Sequence, residues 1–108
     1  MKIRSGPLFR AGQSVSEIVS LDQLHPYLII TPAAWTKANL TFLYSPDNAN
    51  FYPLHLEDRR WEVTCPPNAI IKLALQDWPT YSFFKFVSSI GGSQIPQQED
   101  CWFQIIGD

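Results

Sequence analysis

Two histidines and two cysteines are the side chains best able to act as base, nucleophile or metal ligand near neutral pH, and all four stand apart in this 108-residue chain. Nucleophilic catalysis needs a nucleophile, a base and a group that orients the base. His25 precedes Pro26 in a turn-like stretch, and His55 follows Pro53 in a run that reads as a strand. Both read as surface or structural residues. Cys65 and Cys101 show no CxxC and no zinc-type spacing. They read as buried free thiols; a disulfide between them would need Cα atoms within about 7 Å. HExxH, GxSxG and glycine-rich phosphate loops are absent. The ten carboxylates fall mostly in turns, and nothing favours any pair for glycoside hydrolysis. Asp47 with Asn48 and Asn50 could offer oxygen ligands to calcium, but those residues are also ordinary turn chemistry. The residues thus predict no catalytic, metal or cofactor site, and a protein that is not an enzyme.

The elements that would hold these side chains are strands. The stretch from Thr31 to Tyr52 organises them. Leu40, Phe42 and Tyr44 alternate with Thr41, Leu43 and Ser45, the period of a half-buried strand, and Ser45-Pro46-Asp47-Asn48 supplies a turn before the return strand Phe51–Leu56. Pro53 places that return strand at a sheet edge or in a bulge. Further strands are predicted over Ser14–Leu21, Tyr27–Thr31, Arg60–Cys65, Ala69–Leu75, Tyr81–Ser88 and Asp100–Ile106, with turns at Asp22–Pro26, Glu57–Arg59 and Gln76–Thr80. Tyr27–Thr31 is apolar throughout, as in a strand buried on both faces. Ser88–Gln98 reads as a long uncharged loop in which Gly91-Gly92 permits unusual backbone angles. Nine prolines and 14% aromatic residues argue against long helices. The expectation is all-β: a two-sheet antiparallel β-sandwich, jelly-roll or immunoglobulin-like, of about eight strands. An N-terminal arm (1–12) would precede one domain (13–108).

Charge narrows the partners. A formal net charge of −2 with 17% charged residues leaves no basic footprint for nucleic acid. No run is long enough to span a membrane as a helix, and Met1–Gly12 lacks the apolar core of a secretory signal, so synthesis in a cytosol is expected. Few charges also suit a chain whose faces are covered by partners. The predicted core holds Trp35, Leu40, Phe42, Tyr44, Ile71, Leu73, Phe84, Phe86 and Phe103. The predicted interface residues are Leu8 and Phe9 on the arm, Phe83 on a strand apolar on both sides, and Trp61, Trp78 and Trp102. Those three tryptophans could alternatively stack on sugars, making the chain a carbohydrate-binding module for host-surface attachment.

Three blocks, GQSVSEIVSL, PAAWTKANLTFLYSPDNANFYPL and FVSSIGGSQIPQQEDCWFQIIGD, together resemble a family of small proteins encoded among the structural genes of tailed phages. The resemblance runs from about Gly12 to Ile106. Two departures stand out. Ser88-Ser89-Ile90-Gly91 replaces a basic turn common in the family, and Glu99-Asp100-Cys101 stands where a basic residue is common, so no role of those cations carries over. The resemblance implies a non-enzymatic virion component made in the host bacterial cytoplasm. It would be a capsid decoration or cement protein, or a head-fibre-type subunit. Its partners would be the major capsid protein or other virion proteins, with homo-oligomers such as trimers expected, and neither nucleic acid nor membrane involved.

Overall fold

The computed structural model describes residues 1–56, 58–73 and 83–108. Trp78, Leu75, Tyr81 and the Gln76–Thr80 turn therefore lie outside the described residues. The described strands are β1 (Lys2–Phe9), β2 (Val19–Ser20), β3 (Pro26–Ile30), β4 (Asn39–Ser45), β5 (Tyr52–Pro53), β6 (His55–Leu56), β7 (Arg59–Arg60), β8 (Ile70–Lys72), β9 (Phe83–Ile90), β10 (Ser93–Gln94) and β11 (Cys101–Gly107). They form a two-sheet antiparallel β-sandwich. One sheet has the order β1-β11-β3-β8; the other runs β10-β9-β4-β5, with β2 also on β9. β6 and β7 make a small separate ribbon.

Eleven described strands replace the expected eight or so: the return strand divides into β5 and β6, and β1 and β10 form where an arm and a loop are expected. The return strand splits at Leu54, whose N–H donates to the Phe42 carbonyl, so the chain leaves β4 and turns into the β6–β7 ribbon. Beyond that ribbon only Val63 rejoins β4, exchanging both backbone hydrogen bonds with Leu40. Alternation survives without a ladder there: Trp61 and Val63 are half-buried and Cys65 buried, whereas Arg60, Glu62 and Thr64 are exposed. Pro53 lies on the edge strand β5, where its missing donor breaks no ladder.

The largest correction concerns the N-terminus. Residues 2–9 are not an arm: they form β1, paired along its length with β11. Leu8 is 4% and Phe9 0% exposed, so both belong to the interior and neither is an interface residue. The register explains why the alternation was hard to read. Ser5 faces Gln104 and Leu8 faces Trp102, so Gly6 and Pro7 together oppose Phe103 in a bulge. The bulge absorbs the proline and rotates Phe9 inward opposite Cys101.

The core lies between β4 and β9 on one side and β11, β3 and β1 on the other. Leu40, Phe42 and Tyr44 pair with Ser88, Phe86 and Phe84 on the inner face of the five-stranded sheet. Leu40, Phe42, Phe84, Phe86 and Phe103 are fully buried, Trp35 and Leu73 nearly so, and Tyr44 and Ile71 half-buried against them. A chain of rings crosses the sandwich: Trp35–Phe103 at 4.9 Å, Phe103–Phe86 at 5.6 Å, Phe86–Phe42 at 5.0 Å and Phe42–Trp61 at 4.8 Å. These edge-on and tilted contacts are the arrangements that aromatic quadrupoles favour.

Two close fits fix the ends. Gly91 and Gly92 have φ of 55° and 87° and form the two-residue turn of the β9–β10 hairpin, since Ile90 pairs with Ser93. The predicted uncharged loop thus begins as a hairpin, because positive φ at both turn positions matches the twist of the flanking strands. At the other end a Cβ on Gly107 would run into the His25 carbonyl, so only glycine lets the end of β11 approach β3. Between sheets, Gln97 is 1% exposed; it accepts from Thr36 N–H at 2.7 Å and donates to Ser88 Oγ at 2.9 Å. It ties the β3–β4 connection to the segment before β11.

Candidate functional site

Strand alternation leaves the outer face of the four-stranded sheet apolar. β11 presents Trp102, Gln104 and Ile106 outward, because Cys101, Phe103 and Ile105 are all 0% exposed. Register then assigns the neighbours: Ile3 pairs with Ile106, Ser5 with Gln104, Ile106 with Leu28, Gln104 with Ile30, and Ile30 with Ile70. Trp102 is 58%, Ile3 59% and Ile70 65% exposed. Lys72, paired with Leu28, is the one charge that alternation places there among the described residues. A groove of about 520 Å³ crosses this face between Ser5, Ile30, Pro32, Trp102 and Gln104. A second, of about 260 Å³, continues it across Ile30 to Asn68 and Ile70.

A large apolar ring at the centre of a nearly uncharged sheet face is suited to adhesion. Apolar and aromatic area gives the driving force, while Gln104 and Ser5 can set orientation by hydrogen bonds. No described histidine, cysteine or carboxylate lines either groove. Among the described residues no three His, Cys, Asp or Glu side chains converge as metal ligands.

The other predicted interface residues are dispersed. Leu8 and Phe9 are interior, as above. Trp61 is half-buried with its ring on Phe42, so it packs at the sandwich margin, and it also lines a groove with Arg59, Arg60 and Glu62. Phe83 is half-buried at the start of β9, on the outer side of the other sheet. The both-sided apolarity of that strand follows from its central place between β4 and β10 or β2. Trp102 alone of the described candidates sits on the exposed apolar face. Ile3, Ile30 and Ile70 were not picked out by sequence. For Ile70 a signal existed, since placing Ile71 and Leu73 inward turns it outward. For Ile30 the wholly apolar run hid that one side is only half-covered.

The sequence-nominated chemistry resolves into structure. Both Asp47 carboxylate oxygens are taken: Ala49 N–H, Asn50 N–H and Ser45 Oγ donate to one, and the Asn50 amide to the other. The Asn50 and Ala49 backbone donors, first among these, hold its carboxyl well below the usual carboxylate range. Cys65 and Cys101 are free and buried. Burial pushes the Cys65 thiol up to about 11, partly offset by its contact with Thr31 Oγ1. Burial, then Glu99 and Asp100, raise Cys101. A neutral buried thiol is a poor nucleophile. Neither cysteine should therefore react with an aromatic disulfide reagent at pH 7 in the native protein, while both should react at once in denaturant. Rapid native labelling of either would contradict this packing.

Comparison with protein-family models, curated proteins and solved structures finds no match for this chain.

Proposed function

We propose that this protein is a non-enzymatic structural subunit of a tailed-phage particle, which docks on another virion protein through the outer face of its four-stranded sheet. The observation that carries the reading is the cluster of Trp102, Ile3 and Ile70 on one register-matched, nearly uncharged face. The three-block resemblance supplies the setting, with the capsid surface or a head fibre as the place and the major capsid protein as the first partner to test. Exposed apolar surface of this kind costs solubility in an isolated chain and is covered in an assembly.

Copy number per purified particle tests the setting. Hundreds of copies fit decoration of the capsid, and complete absence of the chain from particles ends the proposal. The docking face has its own test. Trp102→Ala should weaken binding to purified capsids by roughly thirtyfold, the effect of losing about 2 kcal/mol at an anchor residue. Ile70→Lys should act in the same direction by placing a charge on the covered face. Because both side chains are more than half exposed, neither change should alter stability by more than about 0.5 kcal/mol. Unchanged capsid binding by both variants would remove this face from the proposal.

A further inference from the structure

Buried polar side chains need partners, and two on the opposite sheet have none among the described residues. Seven polar side chains are buried among the described residues. Five are satisfied within the protein: Ser16 by Phe86 N–H, Thr31 by Cys65, Ser45 by Asp47, Ser88 by Gln97, and Gln97 by Thr36 as well. The remaining two are Thr41 and Ser89, at 3% and 5% exposure. Neither hydroxyl has a hydrogen-bond partner among the described residues.

Both lie in one place. Thr41 alternates with Leu40 and Phe42, and Ser89 follows Ser88, so each points to the outer face of the five-stranded sheet. Thr41 pairs with Val87, and Ser89 is the next outward residue on β9, making them diagonal neighbours. They form, with Val87, the floor of a groove of about 300 Å³. Arg60 and Glu62 wall one side, and Gly92 and Gln94 of the β9–β10 hairpin wall the other. The walls are held in place. Asn39 Nδ2 donates to Glu62 Oε2 at 2.7 Å, and Ser14 Oγ donates to Gln94 Oε1 at 2.5 Å. That leaves one Glu62 oxygen to accept, the Gln94 NH₂ to donate, and the Arg60 guanidinium, which has no ion pair among the described residues.

We propose that this groove binds a neutral polyhydroxylated ligand, the ring of a monosaccharide or of a glycan's terminal sugar, with Thr41 and Ser89 bonding its hydroxyls. The chemistry selects against ions. Arg60 and Glu62 cancel in charge, so an anion meets the carboxylate and a cation meets the guanidinium. Sugar hydroxyls donate and accept at once, which suits hydroxyls, an amide, a carboxylate and a guanidinium placed side by side. A volume equal to about ten waters admits one such ring, at the small end of ligand sites. Val87 offers its methyl groups to the ring's C–H face. No aromatic ring of the described residues lines this groove, so affinity is modest, about millimolar. The groove and the docking face are on opposite sheets, so either proposal can fail without the other.

Amide chemical shifts of the full chain, followed during titration with a panel of neutral monosaccharides, test the inference. At least one sugar should give saturable shifts centred on Thr41, Arg60, Ser89 and Gln94, weakened about tenfold or more in Thr41→Val and in Ser89→Ala. Thr41→Val keeps the shape and removes an unpaired hydroxyl, so its melting temperature should hold or rise; lost binding then cannot be ascribed to unfolding. Three results overturn the proposal: no saturable shift with any sugar, shifts that persist in both variants, or a free amino acid binding more tightly than every sugar.

Discussion

A chain lacking residues 1–9 should fail to fold. An arm could be removed at little cost, but this segment is an eight-residue strand with 4% and 0% exposed Leu8 and Phe9 at its end. The Phe9 ring lies 5.0 Å from Trp35 and 5.7 Å from Phe103. Emptying its site alone costs about 3–5 kcal/mol, as Phe-to-Ala changes in cores do. Leu8 adds a further 2 kcal/mol or more. A domain of this size has only about 5–15 kcal/mol in total. The truncation would also strip β11 of its neighbour and leave a seven-residue apolar strand as an open edge, a template for aggregation. The expected result is an insoluble or collapsed chain without amide dispersion. A soluble truncated protein with a cooperative melt and native-like spectra would show that β1 is dispensable.

Trp35→Ala should lower unfolding free energy by about 3 kcal/mol or more in urea titration. Trp35 is 3% exposed and sits where the β3–β4 connection crosses between the sheets. Its ring meets Phe9 and Phe103, and its indole N–H donates to the Cys65 carbonyl at 3.0 Å and the Ala38 carbonyl at 3.3 Å. Removing it opens a large cavity and orphans two buried acceptors at once. Trp35→Phe separates the two effects. It keeps a ring in the cavity but not the donor, so its cost should be smaller, about 1–3 kcal/mol. A loss below about 1 kcal/mol for Trp35→Ala would mean that the site collapses around the gap or that the ring is not buried.

Sequence by itself determined the fold class, the long central strands β4, β9 and β11 and the greater part of the core, although clean alternation over Arg60–Cys65 yields no ladder. Leu40, Phe42, Phe84, Phe86 and Phe103 recur at a spacing of two, and a pleated strand turns such residues to one side whatever its neighbours. Proline and turn chemistry likewise limited Pro53 to an edge or a bulge and placed the Asp47 turn, because these act within a few residues. Tertiary structure decided what depends on pairing between distant segments. Whether Lys2–Phe9 was arm or strand turned on β11, about a hundred residues away, and on a bulge that breaks the alternation. The exposed apolar face exists only because the register of four strands puts Trp102, Ile3 and Ile70 on the same side, and a one-residue slip in any strand would bury its contribution instead. Thr41 and Ser89, whose hydroxyls have no partner among the described residues, are ordinary strand residues until β10 and the chain around Arg60 flank them.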